Sequence, residues 1–319
     1  MRYVAEIQLV APFGAPLSAP GDDHFHLEGE DAYRRWRDKK LSQYEATVDD
    51  LMVTIANPAC PSPAERAAVM ARIETANMAL YRTPAERTDD DATDALLLGL
   101  ARSFGLRALE DHRSANRNGV VRIEIANSGG RAGYIPYTDR PISWHTDGYY
   151  NFHGPAHCVQ AMILHCGRAA AEGGENRVLD HEIAYLRLRD RDPGALSLLM
   201  HPQAMTIPES VEDNGRVRPE NIGPVFHIVS GGPSKALAMR YSARKKFISF
   251  RDAATRAAAD LLLDLIESEP LTRRVRLEAG QGLICNNVLH DRSAFTDRAD
   301  SPRRLYRIRF HGRVGAVDD

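Results

Sequence analysis

The run ISWHTDGYY, Ile142 to Tyr150, places an imidazole, His145, and a carboxylate, Asp147, two residues apart in an aromatic, strand-like setting. Spacing alone decides nothing. With 12 His and 43 acidic residues in the chain, chance supplies about one or two His-x-acid pairs, and there are two, His26-Leu27-Glu28 and His145-Thr146-Asp147. Local frame separates them. Residues i and i+2 of an extended strand project to one face, so His145 and Asp147 can reach one ion if the run leading into them is extended. His26 and Glu28 lie beside a Pro/Gly-rich loop and lack that frame.

The surrounding texture sets the fold class. From Val120 onward the chain breaks into short β-rich runs punctuated by Gly, Pro and Asn, among them VVRIEIAN, CVQAMILHC, GPVFHIV, GLICNN and RRLYRIRF. Many short strands with turn signals point to a sandwich or barrel and away from a parallel α/β sheet. Before Val120 the reading is a strand over residues 3–10, a Pro/Gly loop over 11–22, and helices over 30–57, 62–81 and 90–104. Pro63 and Glu65 suit the first turn of the second helix, and Gly105 closes the third. Helical insertions are expected near 181–200 and 252–269. The expected architecture is therefore mainly β with α insertions (α+β), in one domain spanning 1–319. Residues 1–115 form a mostly helical support and 116–319 the catalytic core.

Composition narrows the function. Lys plus Arg number 41 against 43 Asp plus Glu, a net charge of −2, which offers no strong field to recruit nucleic acid or an anionic membrane. No segment reads as a membrane span or a signal sequence, so a cytoplasmic protein acting on a small molecule is expected. The four cysteines, Cys60, Cys158, Cys166 and Cys285, include no CxxC pair and read as free thiols.

A two-His-one-carboxylate metal site needs a second imidazole and open coordination positions. His290, in the strand-like run GLICNNVLHDRSAF, is the candidate. Soon afterwards RRLYRIRF crowds four arginines onto one short strand; Arg303, Leu305, Arg307 and Arg309 share one face, and Arg304, Tyr306 and Ile308 share the other. Guanidinium groups facing a protein interior need anionic partners, and a dicarboxylate would meet that need through a bidentate fork.

These motifs together resemble the taurine dioxygenase-like (TauD/TfdA) family of Fe(II)- and 2-oxoglutarate-dependent oxygenases. The resemblance rests on WHTD at Trp144–Asp147, AAEGGENRVLD at Ala170–Asp180, NNVLH at Asn286–His290 and RRLYR at Arg303–Arg307, with LARSFG at Leu100–Gly105 as an N-terminal echo. It implies a double-stranded β-helix (jelly roll) core with flanking helices. It implies Fe(II) held by His145, Asp147 and His290, with 2-oxoglutarate and O2 as cosubstrates and release of succinate and CO2. By the same resemblance Arg303 grips the distal carboxylate of 2-oxoglutarate, assisted by Asn176, which stands where the family has Thr, and Arg307 contacts an anionic group of the substrate. A slipped register would exchange the roles of Arg303 and Arg307.

The resemblance also allows a homo-oligomer, with no nucleic-acid or membrane partner. The implied activity is hydroxylation of a small polar or anionic metabolite. The alternatives are a metal enzyme of the same fold that does not use 2-oxoglutarate, and a non-catalytic metabolite-binding relative. Tyr149 and Tyr150 are candidate substrate contacts, with packing as the plainer reading. His153 and His157 read as loop residues because Gly154 and Pro155 interrupt any helix between them, and RYSARKK, Arg240 to Lys246, reads as a solvated turn or the source of one pocket arginine.

Overall fold

The computed structural model describes residues 23–84, 89–112, 114–211, 217–230, 235–244 and 246–315. The strand expected over 3–10 and the loop over 11–22 lie outside the described residues. Six helices and a strand-rich core make up the described part: α1 Glu30–Thr47, α2 Pro63–Ala76, α3 Asp90–Ser103, α4 His181–Arg191, α5 Pro193–Met200 and α6 Ala253–Glu267.

Two sheets form the centre. The larger contains β1 (Met52–Thr54), β2 (Met78–Arg82), β3 (Val121–Ile123), β5 (Ala161–Arg168), β8 (Gln281–Cys285) and β10 (Arg304–Phe310), in the order β1-β2-β8-β5-β10-β3. The smaller contains β4 (Ile142–His145), β6 (Asn176–Leu179), β7 (Arg273–Val275) and β9 (Leu289–Arg292), in the order β7-β6-β9-β4. Leu80, Leu164, Val178, Leu283, Leu289 and Leu305 from both sheets belong to one continuous buried cluster. A second cluster, including Val69, Leu97, Leu100, Ile163, Ile284 and Ile308, packs α2 and α3 onto the larger sheet. Strict alternation explains this two-sided arrangement: Leu283 belongs to one cluster and its neighbour Ile284 to the other.

The N-terminal helices differ from their expected lengths. The helix expected over 30–57 ends at Thr47, and the one over 62–81 ends at Ala76. The apolar runs beyond each end become β1 and β2, which pair in parallel and extend the larger sheet through β8. Asn77 makes the second switch, taking the left-handed backbone conformation (φ 54°) that closes a helix. Short apolar runs adjoining a helix share its hydrophobicity, so periodicity alone does not mark the boundary. The insertion over 181–200 is likewise two helices, divided at Asp192, whose side chain caps α5 ahead of Pro193.

The start of α2 follows the sequence expectation in detail. Ser62 Oγ accepts from Glu65 N–H at 3.2 Å, and Glu65 returns an acceptor to Ser62 N–H at 2.7 Å. This reciprocal capping box satisfies two helix-end donors. Ser62→Ala should therefore cost about 1 kcal/mol, read as a melting temperature lowered by about 2 °C in calorimetry.

The segment AAEGGENRVLD gains a structural account at its end. Asp180, fully buried, caps α4 through Glu182 N–H at 2.9 Å, accepts from Asn77 Nδ2 at 3.1 Å and pairs with Lys40 Nζ at 2.6 Å. Lys40 also pairs with Glu182 at 2.6 Å. A buried charge needs such compensation on every side, and here it ties α1 and α4 to the strands that carry the site. Among the described residues no helix is long and apolar enough to cross a membrane, and all four cysteines are free.

Candidate metal centre

The ladder between β4 and β9 sets His145 directly opposite His290. Paired residues on neighbouring antiparallel strands point to the same face, and the two imidazole centroids stand 4.2 Å apart. Asp147 arrives differently from the sequence expectation. Of the stretch leading into the motif, residues 142–145 are extended, preceded by a 3-10 turn at Ile135–Tyr137, and Asp147 lies in the turn that follows β4. Hydrogen bonds aim it instead of strand alternation. Asp147 N–H donates to Asn287 Oδ1 at 2.8 Å, Asn287 Nδ2 donates back to Asp147 O at 3.0 Å, and Thr146 exchanges bonds with Tyr241 at 3.0 Å in each direction. Ligand atoms of His145, Asp147 and His290 all lie within 4.8 Å of one another, the one such group of three among the described residues.

Proton placement suits both imidazoles to a cation. His145 Nδ1 lies 3.0 Å from Ser143 O and His290 Nδ1 3.0 Å from Val288 O. A carbonyl oxygen can only accept, so each Nδ1 carries a proton, and Nε2 is the nitrogen left to face a cation. Burial, reinforced by His290, pushes His145 down to about 3, so it stays neutral and able to ligate. Burial would raise the Asp147 carboxyl, but Arg307 and Arg309 outweigh it and hold the group well below the usual carboxylate range. Asp147 Oδ2 is buried with no hydrogen-bond partner. Two imidazoles held through Nδ1, one ionised carboxylate and an unsatisfied carboxylate oxygen fit a divalent first-row metal with open coordination positions.

The arginine strand divides as its alternation predicts. Arg307 and Arg309 on β10 face Asp147, with Nη1 atoms 3.0 and 3.9 Å from Asp147 Oδ1. On the opposite face Arg304 pairs with Glu124 and Asp90, and the Tyr306 hydroxyl donates to Asp90 at 2.5 Å. Arg303 precedes the strand and is buried. Its guanidinium lies 4.9 Å from the Phe295 ring centre, and among the described residues no carboxylate comes within ion-pair distance of it. Burial accordingly lowers its pKa, with Cys166 and Asp297 opposing from farther away. An interior guanidinium without a counter-ion is costly.

Asn176 Nδ2 donates one of its two hydrogens to Asp291 O at 2.6 Å. The residue also lines a small, mostly apolar cavity with Leu80, Leu164, Val178, Leu283 and His290. The Gly-Gly turn before it has φ of 70° and 68° at Gly173 and Gly174, a conformation that favours glycine. A Cβ on Gly173 would meet Ala294 O at 2.3 Å.

The remaining sequence candidates fall into place. Tyr149 and Tyr150 are half-buried, and the Tyr150 hydroxyl accepts from Arg309 Nη1 at 3.2 Å. His26 and Glu28 form an exposed pair of their own at 2.7 Å, apart from the triad. His153 bonds Asn151 Oδ1 at 2.9 Å, and His157 ends a 3-10 turn. Arg240 is neither solvated nor open to a ligand: it is buried and donates to Met205 O, Gly223 O and Asn221 O. Two residues near the centre were not singled out as site residues by the sequence, Asn287, which bonds Asp147, and Glu110, which pairs with Arg309. Asn287 sits inside the NNVLH motif, yet its role depends on contact with a turn 140 positions away.

Two imidazoles and a carboxylate thus meet at one place, the donor set that a two-His-one-carboxylate metal site needs. Residues 67–309 match the family described as "Taurine catabolism dioxygenase TauD, TfdA family", and the chain belongs to that family. It is 29% identical over 174 residues to a uridine-5'-phosphate dioxygenase of Amycolatopsis sp., a match covering 51% of this chain and 58% of that protein. The chain thus spans little more than half the length of that curated relative. Among solved structures it is similar to asparagine oxygenase (TM-score 0.58, 13% identity, covering 82% of this chain and 92% of that one). It is likewise similar to the non-haem iron oxygenase OrfP bound to Fe, succinate and (3S)-hydroxy-L-Arg (TM-score 0.57, 17% identity, 78% and 83%). These likenesses show a shared mixed fold with a sheet-rich core.

Proposed function

We propose that this protein is an Fe(II)- and 2-oxoglutarate-dependent oxygenase that hydroxylates a small polar or anionic metabolite. The observation that carries the reading is the cross-strand pair His145 and His290, each with Nδ1 engaged by a carbonyl, beside the ionised Asp147. Its two main sheets are the walls of a double-stranded β-helix, and residues 1–115 and 116–319 act as one domain, consistent with β1 and β2 extending the larger sheet.

In this reading His145, Asp147 and His290 hold the metal on one side. When bound, Fe(II) with 2-oxoglutarate and O2 supplies the oxidation of a substrate C–H bond, with release of succinate and CO2. The chain's own part is placement. Arg303, a buried guanidinium with no counter-ion, binds the distal carboxylate of 2-oxoglutarate, and the apolar walls formed by Leu80, Leu164 and Leu283 keep water from it. Arg307, whose Nε is buried without a partner, offers its free donors to an anionic group of the substrate. Tyr149 borders the same space; Tyr150, already bonded to Arg309, shapes the wall more than it binds. The substrates and ligands of the relatives, a nucleoside monophosphate, asparagine and hydroxyarginine, are small polar molecules and support that substrate class.

The test is incubation of the whole chain with Fe(II), ascorbate and 2-oxoglutarate across nucleoside monophosphates and polar amino acids, reading succinate. We expect one compound or class to raise succinate release well above the background without substrate. A chain that neither binds Fe(II) nor turns over 2-oxoglutarate would sink the reading.

A further inference from the structure

We propose that Glu110 is a positioning residue of the metal centre: its carboxylate keeps the Arg309 guanidinium in a pair of its own and so leaves Asp147 to the metal. The inference rests on the metal-centre reading above and goes beyond it, because it assigns a role to a residue outside every motif of the site.

Glu110 lies in the connection between α3 and β3, in the helical N-terminal third, far in sequence from the triad. It is drawn against β10, where its N–H donates to Arg309 O at 2.9 Å and Leu109 bridges to Phe310. Glu110 Oε2 accepts from Arg309 Nη2 at 2.6 Å and from Nε at 2.9 Å, and both side chains are 2% exposed. Oε1 accepts from Asn151 Nδ2 at 3.2 Å, so the same carboxylate holds the turn that follows Asp147. The third guanidinium nitrogen, Nη1, donates to the Tyr150 hydroxyl at 3.2 Å and stands 3.9 Å from Asp147 Oδ1.

Charge balance gives this geometry its meaning. Asp147 already accepts from Arg307 Nη1 at 3.0 Å. If Arg309 lost its own carboxylate, a second buried cation would stand beside Asp147 with no other anion in reach, and an uncompensated interior charge seeks the nearest partner. It would compete with a dication for Asp147 and repel that dication as well. With Glu110 present, Arg309 is neutralised in place and acts as a fixed strut for Tyr150 and Asn151.

The experiment compares Fe(II) binding to the metal-free full chain, by anaerobic calorimetry, in wild type, Glu110→Gln, Glu110→Asp and the double variant Glu110→Gln/Arg309→Gln. Glu110→Gln should raise the Fe(II) dissociation constant about tenfold, the scale on which partners one layer outside a metal act. Glu110→Asp keeps the charge and should stay near wild type. The double variant removes cation and anion together and should return to within about twofold of wild type. A folded Glu110→Gln protein with unchanged affinity overturns the proposal, as does a double variant that binds worse than the single one. Should Glu110→Gln fail to fold, the double variant decides alone: wild-type affinity supports the proposal, and a tenfold loss overturns it. A wild-type chain that binds no Fe(II) defeats the metal-centre reading itself, whereas normal wild-type binding with indifferent variants defeats only the role of Glu110.

Discussion

His290→Ala should abolish stoichiometric Fe(II) binding and, with it, succinate formation. The side chain is 7% exposed, and its one hydrogen bond among the described residues runs to Val288 O two residues away, so its removal breaks no long-range hydrogen bond and the protein should remain folded. What is lost is one of three donor atoms. The remaining pair, His145 and Asp147, sits on one short stretch and cannot enclose an ion from two strands. The effect should therefore far exceed the ~10- to 100-fold loss that follows removal of a partner outside the ligand shell. Metal analysis of the purified variant beside its circular dichroism spectrum checks both halves of the expectation. A folded variant that retains equimolar Fe(II) and full turnover would remove His290 from the centre.

Arg303→Ala should raise the 2-oxoglutarate requirement while leaving Fe(II) binding in place. Removing a charge-assisted hydrogen-bonded pair costs about 1.5 to 3 kcal/mol, which is roughly a 10- to 150-fold higher cosubstrate concentration for half-saturation. The apo protein should tolerate the change, since an interior guanidinium with no ion-pair partner contributes little to folding and burial already lowers its pKa. Arg307→Ala is the companion measurement. Because Arg307 bonds Asp147 at 3.0 Å, its loss should disturb the substrate and metal side first. If the 2-oxoglutarate requirement stays flat in Arg303→Ala and climbs in Arg307→Ala, the two roles are exchanged.

The sequence made the centre readable to different depths at different residues. His145 and His290 were legible because strand alternation and a following arginine run are local patterns, and the same alternation put Arg307 and Arg309 on the face toward Asp147 and Arg304 and Tyr306 on the opposite one. Asp147 was legible as a residue but not as a geometry, since the extended run stops at His145 and the carboxylate is aimed by Asn287. Glu110 was illegible, because it lies in the loop after LARSFG with no motif of its own and its partner is 199 positions away. The strands β1 and β2 were lost for a related reason: each is a brief apolar run beside a helix, and what makes it a strand is the edge it meets, β8 for β2 and β2 for β1.

The register between β4 and β9 is set by more than the two imidazoles. A strand shifted by one residue turns all its inward side chains outward, so a slip at β9 would bring Leu289 or Asp291 opposite His145 in place of His290. The same slip would pull Leu289 out of the buried cluster it shares with Val178 and Leu179 of β6. Packing that has nothing to do with ligand chemistry therefore holds the two imidazoles face to face, and the site is aligned as soon as the core is closed.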